Sequence, residues 1–223
     1  MRIASKPGFW GGVQRLINFL KKIEQMTLPD DIKQVFFETI NGNTTLPEFE
    51  QWVYSEPQLE QVLTSEDYLN LISFGFNEDG AKYALFHLLL NLIDMGEYET
   101  WKLLWLLHEA LKRNKNLPEI LMTFYDMYCR EYNFLDNLGL GYGLAVEVPL
   151  PQADSWDELT HAQQEAILDG FYPEIEQEIL KVISWIDNKK IVLTGNKNSY
   201  YHYEYIDNRT EEEKLPTAHK RQN

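Results

Sequence analysis

Cysteine is nearly absent from this sequence: Cys129 is the one cysteine among 223 residues. A single cysteine excludes a disulfide within the chain, so the fold has to depend on packing rather than on covalent cross-links. It also suits a reducing compartment, where disulfides are rare. A hydrophobic fraction of 44%, with 13% aromatic residues, is enough to build a sizeable core. Extensive disorder is therefore not expected.

Long apolar runs are absent as well. The most apolar stretch, Tyr83 to Ile93, is interrupted by His87 and Asn91. It is roughly half as long as a membrane-spanning helix, which needs about 20 residues. The opening residues include basic side chains, but neither the unbroken apolar stretch nor the small-residue cleavage site of a secretory signal. The sequence therefore predicts a cytosolic protein without stable membrane insertion.

Basic side chains are few and unevenly placed. The chain has 20 Lys and Arg against 35 Asp and Glu, a net charge of −15. Residues 1–23 hold five of the basic side chains and no acidic one, which leaves −20 on the remaining 200 residues. A body this acidic repels phosphate backbones and attracts basic proteins, so nucleic-acid binding is not expected. Solubility alone also accounts for an acidic surface, and both interpretations stay open.

Recognisable catalytic and metal-binding patterns are also missing. The five histidines, at positions 87, 108, 161, 202 and 219, do not have the spacing of metal ligands. The glycine-rich residues 139–143 match neither a dinucleotide-binding loop nor a P-loop, because they precede a predicted strand and do not open a helix. No Gly-x-Ser-x-Gly nucleophile elbow occurs. The sequence therefore predicts no metal, no cofactor and no catalytic residue.

Capping signals divide much of the chain into helices. Thr45 and Glu48 form a capping box with Pro47 in the first turn, and Gly96 has the position of a helix stop. The segment from Tyr98 to Arg113 is apolar nearly all round, so we expect it to be the buried central helix of a bundle. The predicted helices are Asp30–Ile40, one that starts after Thr45, one from Thr64 to Gly75, Glu78–Met95, Tyr98–Arg113 and Pro118–Tyr132.

Strand signals are concentrated in the last 80 residues. Three segments have the β-branched content or the alternation of strands, and two of them flank the turn signal Gly195–Asn198. The glycine-rich residues 139–143, which come before the first strand, are predicted to form a flexible turn. The predicted strands are Leu144–Val148, Lys190–Thr194 and Tyr200–Ile206.

These elements together indicate the fold class. Two further capping boxes, at Ser155 and Thr160, lead into a helix that ends near Gly170, and Pro173 begins the last helix. The patterns predict a mainly α fold of the α+β class, a helical bundle with a small antiparallel sheet formed by C-terminal segments. The predicted divisions are an N-terminal extension over residues 1–26, one globular domain over 27–208 and a polar tail over 209–223.

Tyrosines make the last predicted strand the first candidate binding surface. Alternate residues of a strand point to opposite faces, so one face of this strand packs on the helices and the other is displayed. Tyrosine is enriched at binding hot spots because it presents a rigid apolar body with a polar tip. An edge strand whose tyrosines only cover the helix layer is the alternative. The candidate partner-binding residues are Tyr200, His202, Glu204 and Asp207, against an opposite face made by Tyr201, Tyr203 and Tyr205.

The acidic loop before Thr160 is the second candidate surface. It combines carboxylates with a tryptophan, and tryptophan is also enriched at binding hot spots. Its negative charge suits a basic protein partner. The same alternative applies, because a loop tryptophan often packs on its own domain. The candidate residues are Asp154, Trp156, Asp157 and Glu158.

Four segments of the chain point to a group of known proteins. They are residues 46–54 (LPEFEQWVY), 96–104 (GEYETWKLL), 134–143 (FLDNLGLGYG) and 205–213 (YIDNRTEEE). With these segments the chain resembles an uncharacterised family of acidic bacterial cytosolic proteins of the polymorphic-toxin immunity type. The resemblance extends from about residue 30 to residue 213. It implies a protein that binds and neutralises a toxin domain, and it carries over no functional residue.

Three functions follow as hypotheses. The first is a non-catalytic interaction protein, an immunity protein that sequesters a basic, nuclease-like toxin domain, since charge complementarity speeds association. The second is an enzyme with an unfamiliar site, in which a pocket with convergent polar groups joins residues 139–143 to residues 200–207. The third is attachment to a membrane surface through the basic residues 1–26. The oligomeric state stays open.

Overall fold

The structure, a computed structural model, describes residues 28–215, and the predicted extension over residues 1–26 lies outside them. The described chain is mainly helical, with a two-stranded antiparallel sheet near its C-terminal end. The predicted fold class is thereby confirmed. The described residues group into two compact units, 28–94 and 95–215. The division predicted from the sequence, one globular domain over 27–208, stays a prediction.

Five helices make up the described part of the first unit. Thr45 and Glu48 form the predicted capping box, in which each side chain bonds the backbone N–H of the other. Thr64 caps the fourth helix in the predicted place by accepting a hydrogen bond from the N–H of Asp67. The helices are α1 (Asp30–Ile40), α2 (Leu46–Ser55), α3 (Leu59–Val62), α4 (Ser65–Ile72) and α5 (Ala81–Leu90).

An aromatic cluster forms the core of the first unit. Phe36 on α1 and Phe49 on α2 are fully buried. The Phe36 ring meets the ring of Trp52 edge-on, with centroids 5.8 Å apart, and the Phe49 ring lies 6.2 Å from that of Phe76. Burying one such ring stabilises the fold by roughly 1.5–3 kcal/mol. This unit therefore has a hydrophobic core of its own.

The predicted helix from Glu78 to Met95 is wrong at both ends. The helix α5 begins at Ala81, because Gly80 adopts a left-handed backbone conformation (φ 80°) that interrupts any earlier turn. It ends at Leu90. Gly96 does not stop it but lies inside the next helix, where it is buried.

The second unit contains the remaining helices and the sheet. Its central helix is α6, which contacts α7, α10 and β1, and Leu103, Leu107 and Ala110 on it are fully buried. The predicted central position of this helix is thereby confirmed within the unit. The elements are α6 (Met95–Leu111), α7 (Leu117–Cys129), α8 (Leu144–Glu147), α9 (His161–Asp169), α10 (Glu174–Asp187), β1 (Ile191–Lys197), β2 (Tyr203–Asp207) and α11 (Glu211–Lys214), with 3₁₀ turns at Asn133–Leu135 and Trp156–Glu158 and a π-helical turn at Asn137–Gly143.

The glycine-rich segment is not the flexible turn that its composition predicts. Gly139 and Gly143 lie on the π-helical turn and are buried against α7. A Cβ atom at Gly139 would lie 2.7 Å from the carbonyl oxygen of Phe124, and one at Gly143 would meet the carbonyl oxygen of Leu121. Glycine is needed here because the two backbones touch, and not because the chain has to bend. Close packing on α7 therefore orders the segment.

Three smaller expectations also need correction. Leu144–Val148 is not a strand: Leu144–Glu147 continues the π-helical turn as the short helix α8, and its Val146 is fully buried. Ser155 precedes a 3₁₀ turn but caps it with no side-chain hydrogen bond. The tail predicted from residue 209 begins with ordered contacts, since Arg209 is buried and α11 follows it. Tertiary packing overrides the local signal in each case.

Among residues 28–215, no helix has both the length and the apolar character that crossing a membrane requires. The basic segment invoked for attachment to a membrane surface, residues 1–26, lies outside the described chain. Surface attachment therefore stays a prediction.

We expect Gly143→Ala to lower the free energy of unfolding by about 1–3 kcal/mol, because its methyl group would push α7 and the π-helical turn apart. Gly170→Ala is the matched control. A Cβ at Gly170 would meet ordinary contacts of 3.4 Å, and its φ of −67° suits alanine. Urea denaturation followed by circular dichroism measures both variants. Equal stabilities would contradict close packing at Gly143.

Candidate functional site

The candidate site is built on the C-terminal hairpin. β1 and β2 pair antiparallel, with Leu193 opposite Tyr205 and Lys197 opposite Tyr203. Leu193 and Lys197 are four positions apart on β1, whereas their partners Tyr205 and Tyr203 are two positions apart on β2. The pairing is therefore irregular between Leu193 and Lys197. The predicted hairpin is confirmed, although Gly195 lies in β1 and not in the connecting turn.

Gly195 fixes the position of the hairpin on α6. Its φ of 72° is in the left-handed region that glycine occupies most readily. A Cβ on Gly195 would lie 2.5 Å from the backbone nitrogen of Gly96 and 2.9 Å from the Cβ of Met95. The strand backbone therefore rests directly on the first turn of α6, which explains why Gly96 is buried inside a helix.

Asn198 organises the turn between the two strands. Its side-chain oxygen accepts hydrogen bonds from the backbone N–H of Tyr200 (2.9 Å) and of His202 (3.0 Å). Its side-chain nitrogen donates to the carboxylate of Glu131, at 2.6 Å. Asparagine suits this role because its short side chain bonds the backbone a few residues ahead. The turn is thereby tied to the end of α7.

Glu131 reaches the hairpin because the chain reverses at the end of α7. It has a φ of 76°, at a position after a helix where glycine is usually preferred. Glu131 Oε2 also lies 3.9 Å from Nδ1 of His202. That nitrogen is buried and has no hydrogen-bond partner within the described chain. A strained backbone thus directs one carboxylate at the turn.

A polar pocket lies between the hairpin and the end of α7. Its cavity volume is about 450 Å³. Glu131 and Glu204 are the charged residues of its lining, which contains no basic residue among those described. The lining residues are Glu131, Asn133, Thr194, Asn198, Tyr203, Glu204, Tyr205 and Ile206. The two carboxylates favour a cation.

The inner face of the hairpin is a tyrosine layer on the core. The Tyr205 ring stacks on that of Tyr132, with centroids 6.0 Å apart, and meets Phe134 edge-on at 4.8 Å. The ammonium of Lys197 lies 4.6 Å from the centroid of the Tyr203 ring. This ammonium group occupies one face of the Tyr203 ring, where the negative potential of an aromatic face attracts a cation.

A buried carboxyl group lies on α6 near this layer. Glu99 is 8% exposed, and burial raises the pKa of its carboxyl group, although the ammonium groups of Lys102 and Lys197 lower it in part. Burial also raises the pKa of Tyr132, and the charge of Glu99 adds to that effect. The Tyr132 hydroxyl is buried without a hydrogen-bond partner in residues 28–215. Burial beneath the hairpin thus disfavours the ionised form of Glu99.

The predicted surface residues of the last strand have different environments. Tyr200 and Tyr201 are exposed and lie in the turn, outside β2. His202 is half-buried, with its ring 6.4 Å from that of Tyr200. Glu204 is exposed and lines the pocket. The predicted alternation is confirmed for Tyr203 and Tyr205, which pack inward.

Asp207, the fourth predicted residue of this strand, has an internal partner. Its carboxylate accepts hydrogen bonds from Nε (3.1 Å) and Nη2 (2.9 Å) of Arg209. The Arg209 guanidinium is also 4.4 Å from the centroid of the Trp185 ring. Partial burial opposes ionisation of Asp207, but the bonds from Arg209 outweigh it and hold the pKa below its usual value. Asp207 thus anchors the end of the hairpin.

The acidic loop is the other predicted surface. Asp154, Asp157 and Glu158 are exposed, and the Glu158 carboxylate accepts a hydrogen bond from the N–H of Asp154, at 3.2 Å. Trp156 is half-buried and packs against the core of the second unit. The tryptophan that suggested a hot spot therefore contributes to the core, and partner binding by the three acids stays a prediction.

Sequence reasoning named one of the eight lining residues, Glu204, as a candidate for binding. Glu131, Asn133 and Thr194 were not among the candidates, because the end of α7 and the strand β1 come together only in the folded chain. Asn198 was recognised only as part of a turn signal. The enzymatic hypothesis placed residues 139–143 at this site, but the pocket lining includes none of them.

No group of three or more potential metal ligands occurs in residues 28–215. Comparison with known proteins returns no matching family model, no similar curated protein and no similar solved structure.

We expect Glu99→Gln to raise the free energy of unfolding at pH 7 and to have a smaller effect at pH 4. Because the folded-state pKa of Glu99 lies above its ordinary value of 4.5, the folded state binds more protons than the unfolded state in the window above pH 4.5. Stability therefore falls as pH rises through that window, and the amide removes this loss.

Denaturation of Glu99→Gln at the two pH values measures this effect. Glu119→Gln is the matched control, since Glu119 is exposed on α7 and its carboxylate is hydrated in both states. An equal change for Glu99→Gln at pH 4 and pH 7 would contradict the unfavourable burial of its charge.

Proposed function

We propose that this protein is a non-catalytic binding protein, and that its hairpin pocket receives a basic side chain of a protein partner. The observation that carries the proposal is the pocket lining, in which the charged residues are Glu131 and Glu204. An arginine or lysine fits such a pocket because charge-assisted hydrogen bonds to carboxylates are the stronger ones.

The charge of the whole chain supports a basic partner. The net charge is −15, and a field of this sign raises the association rate of a positively charged protein. The effect is greatest at low salt, since ions screen it over about 8 Å at physiological ionic strength.

The resemblance makes the proposal more specific. Immunity proteins of polymorphic toxins act by binding, and a basic nuclease-like domain has the charge that this surface attracts. We propose such a toxin domain as the partner, with neutralisation by occupation of its surface. Cytoplasmic location belongs to the same proposal.

The test uses the protein encoded by the adjacent reading frame. Co-expression is expected to protect cells from its toxicity, and the purified proteins are expected to form a complex that weakens as salt rises from 50 to 300 mM. Glu131→Gln combined with Glu204→Gln is expected to weaken the complex by roughly tenfold, because both carboxylates of the pocket are lost. Isothermal titration calorimetry gives the dissociation constants.

The matched control is Glu119→Gln combined with Glu147→Gln. Both residues are exposed in the same unit and neither lines the pocket, so this variant loses the same charge elsewhere. If the two double variants weakened the complex equally, the pocket would not be the contact. Absence of both binding and protection would overturn the proposed function itself.

A further inference from the structure

A second pocket lies within the first unit, between α5, the end of α1 and the start of α2. Its cavity volume is about 370 Å³, within the range of about 300–1,000 Å³ that small-molecule sites occupy. Six of its eleven lining residues are apolar. The lining residues are Thr39, Ile40, Gly42, Thr44, Thr45, Leu46, Pro47, Lys82, Leu85, Phe86 and Leu89.

The pocket leaves apolar surface uncovered. The Phe86 side chain on α5 is 38% exposed, and Ile40 and Leu46 are half-buried. Leu85 and Leu89, which form the deeper part, are buried in the core of the unit. A ligand with an apolar body would remove this surface from water, which favours binding.

Lys82 is the charged residue of this lining. Residues 28–94 contain twelve acidic side chains and two basic ones, Lys33 and Lys82. Lys33 pairs with Asp30, at 3.7 Å. Within the described chain no ion pair involves Lys82, although its unit is rich in carboxylates. Lys82 is exposed and lines an apolar pocket, and a cation at this position favours an anionic group on the ligand.

Other polar side chains of the lining could also donate a hydrogen bond to an anionic group of a ligand. The hydroxyl of Thr39 donates to the carbonyl oxygen of Val35, at 2.7 Å, and the hydroxyl of Thr45 donates to the carboxylate of Glu48, at 2.6 Å. These two hydroxyl groups already donate within the fold, and the hydroxyl of Thr44 is a further donor of the lining. The ammonium of Lys82 is the donor of the lining that carries a charge.

We propose that this pocket binds a small amphiphile, with an apolar body against Ile40, Leu46 and Phe86 and a carboxylate at Lys82. The inference goes beyond the proposed function, since it concerns another unit and another class of ligand. The carboxylate of Glu48, which accepts a hydrogen bond from Thr45 of the lining, opposes an anion near Thr45, and salt screens the more distant acids over about 8 Å. The direct contact with Lys82 decides the preference.

Octanoate, octan-1-ol and octylammonium form the test set, because they share one apolar chain and differ in charge. We expect octanoate to bind most tightly to the full-length chain in calorimetry and octylammonium most weakly. Octanoate is expected to bind roughly tenfold more tightly than hexanoate, since each buried methylene contributes about 0.8 kcal/mol. Amide chemical shifts in residues 39–47 and 82–89 locate the site.

Two substitutions separate the charge from the apolar surface. Lys82→Met is expected to weaken octanoate binding by roughly tenfold and to leave octan-1-ol binding unchanged. Phe86→Ala is expected to weaken both ligands. Lys33→Met, on the same unit but outside the pocket, is the matched control and is expected to change neither. Thermal unfolding verifies that each variant is folded.

Two results would overturn the proposal. If octylammonium or octan-1-ol bound as tightly as octanoate, Lys82 would not select the ligand, and the pocket would be a general apolar surface of the kind that a protein segment covers. If octanoate shifted no amide in residues 39–47 and 82–89, this pocket would not be its site.

Discussion

The contact between Gly195 and the first turn of α6 determines where the hairpin lies, and the candidate site depends on it. Gly195 cannot carry a side chain there, because its backbone touches that of Gly96. The same kind of contact joins Gly139 and Gly143 to α7. Close backbone contacts at glycines thus fix the hairpin on α6 and the π-helical turn on α7. Interiors this tightly packed transmit small changes of position.

One face of the hairpin packs on the core of the second unit, and the opposite face is exposed. Tyr205 packs on Tyr132 and Phe134, while Glu204 on the next position faces outward into the pocket. Glu131 reaches the same pocket through a strained, left-handed backbone. The unfavourably buried Glu99 lies beneath this layer. Glu131 shares its left-handed conformation with Arg113 and Lys189, which follow α6 and α10, so it is a helix ending that also directs a carboxylate.

Charge divides the two pockets into different classes. The hairpin pocket has two carboxylates, so it suits a cation presented by a basic protein. The pocket of the first unit has an apolar lining with Lys82, so it suits an apolar molecule with an anionic group. Net charge alone would have predicted the first preference for the entire chain. The preference of the second pocket depends on Lys82, because a charge at the pocket acts more strongly on a ligand than the distant charges that make up the net charge.

The sequence by itself determined the helical class, the bounds of α1, the capping boxes at Thr45 and Thr160, and the existence of the C-terminal hairpin. These features depend on hydrogen bonds between residues a few positions apart, which a local pattern records. The inward packing of Tyr203 and Tyr205 followed in the same way from the two-residue period of a strand.

Only the tertiary structure decided the roles of the glycines, the helical state of residues 144–147 and the composition of both pockets. Gly139, Gly143 and Gly195 have the local signature of a turn, but each is required by a backbone that it touches in the folded chain. Glu131 and Glu204 are 73 positions apart, and Ile40 and Phe86 come from different helices. Contacts between distant segments leave no local pattern, because they depend on how the elements pack.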